Sequence, residues 1–160
     1  VTVTVRAGYA DDYDAVRALH VRCSVATRAR RYHTGTPQLT RDAWQRMSEP
    51  LAGCTLLATP FGLPDRVVAV GHLLYERHPD VAELAVLVED TWQSHGLGGV
   101  LSRRLYGLAH FMRVRTIVAY VATDNIRARR MVQGLARTAG GHGPDVRLLS
   151  DSDVLEAVLS

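Results

Sequence analysis

Lysine is missing from this 160-residue sequence, and arginine supplies all 19 basic side chains. The plain reading is codon bias in a GC-rich genome; one consequence is that the chain has no lysine side chain of its own to be acylated. Cysteine is nearly missing too. Cys23 and Cys54 stand alone, without metal-type spacing, which argues against a disulfide framework and fits a reducing, cytoplasmic setting. Metal binding is not expected. No apolar run approaches the ~18 residues that a membrane span requires. Val1 to Arg6 alternates instead of placing a basic end before an apolar block, so no signal peptide is expected. Charge of one sign is weak: 19 basic residues oppose 16 acidic ones, for a net +3. That excess is dispersed and no nucleic-acid motif accompanies it, so neither nucleic acid nor membrane is an expected partner. Repeats and low-complexity segments are lacking.

What remains is an ordinary globular composition, 47% apolar and 22% charged. At this length it predicts a single domain over 1–160 with a full core. Thr2 to Arg6 reads as a strand. Asp11 and Asp12 then supply an N-cap and a first-turn acid for a helix carrying Val16, Leu19 and Cys23 at helical spacing. A polar, arginine-rich segment from Ser24 to His33 is broken at Thr34 to Pro37. Thr40 caps a short helix through Met47, which stops before Pro50. Cys54 to Thr59, Arg66 to Leu74, Val81 to Val88 and Arg115 to Ala122 read as strands. Leu97, Leu101, Leu105, Leu108 and Met112 line one helical face, and a last helix capped by Thr123 or Asp124 turns Ala128, Met131, Val132 and Leu135 inward. Ala139 to Pro144 reads as a loop, and Val146–Leu149 with Val154–Leu159 as a closing hairpin. Mixed strands and helices in this order predict an α/β (α+β) layered fold.

Between the apolar run ending at Val88 and the helix from Gly96 lies Gln93-Ser94-His95-Gly96-Leu97-Gly98-Gly99, a Q-x-x-G-x-G spacing. A glycine-rich turn into a helix exposes N–H groups without intrahelical acceptors at the positive end of the dipole, which suits phosphate. Glycine permits close approach of a ligand to backbone. Alone, the motif is also compatible with an ordinary turn. An NTPase loop would require G-K-[ST], and a dinucleotide fold would require G-x-G-x-x-G near the first strand.

With Val86-Leu87-Val88 ahead of the loop and Asn125 in T-D-N-x-x-A after it, the chain resembles the GNAT superfamily of acyl-CoA-dependent N-acetyltransferases from Val3 to about Leu135. The resemblance implies a mixed, mostly antiparallel sheet with a splayed central strand pair and flanking helices. The strand before the loop is expected to carry a bulge. Acetyl-CoA is the implied acyl donor, with Val86, Leu87 and Val88 along its pantetheine arm. Ser94, His95, Gly96, Leu97, Gly98 and Gly99, entered through Gln93, would hold its pyrophosphate, with Asn125 nearby. A narrower likeness joins Ser24 to Arg28, Arg31-Tyr32, Leu39 to Asp42, Ala82 to Ala85 and Thr91 to Gln93 to bacterial Pat-type protein lysine acetyltransferases. It implies a protein lysine as acceptor, a small amine being the alternative, and leaves room for a homodimer. A non-catalytic acyl-CoA-binding regulatory module is a further alternative.

Amine acetylation needs a base, because a lysine ammonium has a reference pKa of about 10.4. Glu83 is the only carboxylate inside the Val81–Val88 run, where an ionised group needs a partner or a solvated cleft. It is the candidate base, and a strand-end glutamate paired with arginine is the alternative. Glu76 and Glu89, beside turns, read as solvated surface groups. A backbone N–H near Val86 is the expected carbonyl-polarising donor. Many relatives carry a tyrosine on the helix after the last core strand; here Met131-Val132-Gln133 takes its place, which leaves thiolate protonation to water or another group. Arg28, Arg31 and Tyr32 are candidates for shaping the acceptor site, or else an arginine-rich solvated face. Trp92 is read as a prop for the loop and Cys23 as core.

Overall fold

The computed structural model describes residues 2–32, 39–138 and 142–150. Its strands are β1 (Val3–Ala7), β2 (Gly53–Pro60), β3 (Ala69–Tyr75), β4 (Val81–Val88), β5 (Thr116–Tyr120) and β6 (Asp145–Leu149). Its helices are α1 (Tyr13–Arg22), α2 (Val25–Tyr32), α3 (Arg41–Ser48), α4 (Leu97–Ala109) and α5 (Ile126–Thr138). The strands form one sheet in chain order: β1 to β4 pair antiparallel, while β4–β5 and β5–β6 pair parallel. Parallel neighbours need crossovers, and α4 and α5 supply them.

Strand alternation sorts the side chains onto two layers. Leu56, Ala58, Leu73, Leu84 and Ile117 pack with Leu97, Leu101 and Leu105 of α4. Leu57, Val70 and Leu87 pack on the opposite face with Val16 and Leu19 of α1 and Trp44 of α3. Gly71 lets α4 sit close on the sheet, since a Cβ there would lie 2.9 Å from Leu105 Cδ1. Thr40 caps α3 as its sequence predicts, Oγ1 accepting from Ala43 N at 3.1 Å. Asp12 does not cap α1 with its side chain. It takes Arg6 at 2.7 Å and Tyr9 N instead, because the strand arginine offers a charge-assisted bond that the helix end cannot match. Asn125, rather than Thr123 or Asp124, places its side-chain oxygen at the start of α5, accepting from Ala128 N at 3.3 Å. The expected break at Thr34 to Pro37 and hairpin strand Val154–Leu159 lie outside the described residues, as do 139–141 of the expected loop.

Glu89 is not a solvated surface group. It is 5% exposed and lies between Arg22 Nε at 2.9 Å and Arg66 Nη2 at 3.0 Å. A buried carboxylate survives only with such partners; here they pin the end of β4 to α1 and to the segment ahead of β3.

His72 is buried on the α1–α3 face, its Nδ1 2.8 Å from Thr55 Oγ1 and its ring edge-on to Trp44. Burial, assisted by Arg31 and His20, pushes its pKa well below the usual imidazole value, and burial lowers that of His20 as well. Below about pH 6.5 the unfolded chain binds protons that the folded chain refuses, so stability is full above that pH and declines beneath it. Asp12 and Asp90, whose pKa values are lowered, weaken the fold only below about pH 4. The thermal midpoint is therefore expected to fall between pH 6.5 and 5, and His72→Gln to flatten part of that fall. An equally steep decline in the variant would contradict this role.

Candidate functional site

The parallel ladder between β4 and β5 has three rungs: Val81–Thr116, Ala82–Ile117 and Glu83–Val118. Past Glu83 the strands part. β4 stays paired to β3 in unbroken register from Ala82 to Val88, so the expected bulge is absent from this pairing. The splay comes from β5 turning away. From Leu84 onward, the β4 backbone groups that would have continued the ladder face an open gap.

That gap is the heart of a cleft of about 980 Å³, within the usual range for small-molecule sites. Its lining comes from both faces of the sheet. On the α4–α5 face stand the loop residues Gln93, Ser94, Gly96, Leu97, Gly98 and Gly99, with Asn125, Arg127, Arg130 and Met131 of the α5 region and Arg103 of α4. On the other face stand Thr27, Arg30 and Arg31 of α2. Val86, Leu87 and Val88 form its β4 wall. His95, an exposed loop residue, is not part of the lining. Trp92 packs half-buried against the α4 core and also lines the cleft.

The loop has the backbone that its glycines predict. Gly96 is the N-cap of α4 at φ 80°, and Ser94 adopts φ 65° without being glycine. At Gly98 an added Cβ would meet Met131 Sδ at 3.5 Å and Val88 Cγ2 at 3.8 Å. The protein would tolerate that methyl, but it would fill the space between helix and strand. Gln93 directs its side chain into protein: Nε2 donates to Val88 O at 3.0 Å and Thr27 Oγ1 at 3.1 Å, and Oε1 accepts from Arg127 Nη1 at 3.4 Å.

Glu83 is half-buried at the apex of the splay. By alternation it faces the α1–α2 side together with Leu87, opposite the loop. Tyr120 of β5 shares that face and lines the cleft. Its hydroxyl donates to Glu76 Oε1 at 2.9 Å. Burial first, then the Glu76 bond and the nearby Glu76 and Glu83 charges, push its pKa up to about 12, so it stays protonated at neutral pH. Sequence reading missed Tyr120. The available signal was a polar-tipped residue in the Arg115–Ala122 run, at the alternation facing away from α4.

Arg31 lines the cleft, and Arg30 joins it. Arg28 does not: its Nη1 turns to His20 O at 3.5 Å. Tyr32 belongs to α2, and its side chain lies outside the described residues. Cys23 is buried in the α1 core, with its thiol pushed up to about 11 mainly by burial. No cysteine lines the cleft among the described residues. No helix among them is long and apolar enough to cross a membrane.

No protein-family model matches the chain, and no curated protein matches it in sequence. Solved structures do match in shape. The GNAT domain of Pat from S. lividans superposes with TM-score 0.74 at 21% identity, covering 84% of this chain and 81% of that one. YncA, a putative acetyltransferase from Salmonella typhimurium solved with acetyl-CoA, gives 0.66 at 19%, covering 84% and 79%. Diaminobutyrate acetyltransferase EctA from Paenibacillus lautus, solved with L-2,4-diaminobutyric acid and coenzyme A, gives 0.66 at 18%, covering 87% and 77%. The six-stranded mixed sheet, its parted central strands and the helix-capping glycine loop are thus the fold of the GNAT acetyltransferases.

Proposed function

We propose that the protein is an acetyl-CoA-dependent N-acetyltransferase that moves the acetyl group directly to an amine, with a protein lysine side chain as acceptor. The observation that carries this reading is a cleft passing through the sheet, with a phosphate-suited loop on one face and a carboxylate at the strand fork reached from the other. The residues fit the donor. The N–H groups at the start of α4 and the guanidinium groups of Arg103, Arg127 and Arg130 suit a pyrophosphate. The open β4 edge from Leu84 to Val88 suits an amide-bearing arm that pairs as a strand would. Gly98 leaves the intervening space clear. Acetyl-CoA, when bound, supplies an activated thioester.

The chain's own residues do the rest. Glu83 accepts the ammonium proton of the acceptor, giving the neutral amine that attacks. A backbone N–H of β4 near Val86 polarises the carbonyl, a contribution of the oxyanion type. With Cys23 buried away from the cleft and held protonated, direct transfer needs no acyl-cysteine stage. Met131-Val132-Gln133, the stretch in which many relatives carry a tyrosine, holds no acidic group; the Met131 sulfur accepts from Ser102 Oγ at 3.3 Å. Water in the cleft then carries the second proton, shed by the amine nitrogen after attack, to the departing thiolate. Likeness to the Pat domain in shape, and to Pat-type segments in sequence, supports a lysine acceptor. The likeness to EctA, solved with a diamino acid, favours a small amine as the second reading. A reducing compartment is consistent with the two free thiols.

Thiol release from acetyl-CoA with a panel of lysine peptides and small amines tests the reading. Glu83→Gln is expected to lower kcat about 100-fold or more with acetyl-CoA affinity nearly unchanged. Collapsed affinity with an intact rate at saturation would remove Glu83 from the chemistry. Gly98→Ala is expected to leave the thermal midpoint nearly unchanged while weakening coenzyme A binding about tenfold or more, roughly 1.4 kcal/mol. Unchanged affinity by calorimetry would place the donor elsewhere.

A further inference from the structure

Helix α2 is an unusual piece of this fold. None of Val25 to Arg31 belongs to the buried apolar clusters, and Val25 is 63% exposed. Polar bonds to the segment running from β4 into the loop therefore carry much of its attachment. Asp90 Oδ2 accepts from Ser24 N at 2.9 Å; its Oδ1 accepts from Ser24 Oγ at 2.7 Å and from Thr27 Oγ1 at 2.9 Å. Against an opposing effect of desolvation, those bonds hold the exposed Asp90 carboxyl below the usual carboxylate range. Thr27 Oγ1 in turn accepts from Gln93 Nε2, the amide that also grips Val88 O and meets Arg127. One hydroxyl thus sits between the carboxylate that anchors α2 and the residue that opens the glycine loop.

We propose that Thr27 and Asp90 are positioning residues that couple the two sides of the cleft, transmitting the state of the Gln93–Gly99 loop to helix α2 and so to the face on which Arg30 and Arg31 stand. The coupling rests on the donor reading above. A ligand phosphate on the loop amides fixes a backbone that now relies on Ser94 at φ 65° and Gly96 at φ 80°. With Gln93 fixed, both of its Nε2 donors are aimed, and Thr27 is held between Gln93 and Asp90. A weakly packed helix opens at low free-energy cost, so fixing its tether changes its population of attached states. By linkage, anything seated against α2 tightens the loop by the same factor.

Hydrogen exchange of the whole chain, with and without coenzyme A, reads this without reference to any acceptor. In the unaltered protein, coenzyme A is expected to slow exchange at 94–105 and, about tenfold, at 24–31. In Thr27→Val, which keeps the shape but removes the hydroxyl, the loop segment is expected to remain slowed while 24–31 no longer responds. Thr27→Ser is expected to restore the response. A protected loop with an indifferent α2 in the unaltered chain overturns the coupling and leaves the donor reading standing. Equal protection of α2 in Thr27→Val overturns the route through the hydroxyl. No protection of the loop overturns the donor reading and this coupling together.

Discussion

Where β4 and β5 part decides nearly everything that the sheet can do. Two parallel strands that kept pairing would close their edges against each other and leave no room for a ligand. Here pairing ends at Glu83–Val118, while β4 remains locked to β3 along its whole length. Pairing with β3 continues where pairing with β5 has ended, and that difference makes the opening. One strand therefore supplies three things in sequence: a carboxylate at the fork, an exposed backbone edge, and the entry to a helix N-terminus.

Holding such an edge in place without its neighbour requires compensation, and the structure supplies it at both ends of the gap. Glu89, just past β4, draws Arg22 and Arg66 onto one buried carboxylate. Breaking such a cluster is far costlier than a surface ion pair, because charge would be left without its counter-ion away from water. On the open side α4 packs Leu97, Leu101 and Leu105 into the same core as Leu84. Helix α2 is different in kind: hydroxyls and one carboxylate tie it to the segment that opens the glycine loop.

The elements were legible where one-dimensional pattern and tertiary packing agree. Val81–Val88 reads as a strand and is one, with Leu84 and Leu87 buried on opposite faces, and the leucines of α4 declare their buried stripe. The splay was available only through resemblance, since no residue in β4 or β5 encodes the end of pairing locally. The expected bulge failed for the same reason: register is a property of two strands, and the β3–β4 ladder runs unbroken. Glu89 was misread because a glutamate beside a turn carries no mark of the arginines that fold onto it from 67 and 23 residues away. Gln93 was legible as part of the loop, but the use of its side-chain amide as a brace was not. Tyr120 and the Ser24–Thr27–Asp90 contacts were missed because they join elements far apart in the chain. The S-x-x-T spacing ahead of an arginine-rich stretch was the only local hint of the latter.

On the function proposed above, the donor's reactive arm occupies the gap between β4 and β5 while the acceptor arrives from the α2 face. A crystal structure of the protein with coenzyme A measures this directly. The expected result is a pyrophosphate on the Ser94–Gly99 amides, an amide-bearing arm hydrogen-bonded along Leu84–Val88, and the thiol at the fork beside Glu83. Coenzyme A seated outside the gap, with β4 and β5 unchanged and empty between them, would contradict it.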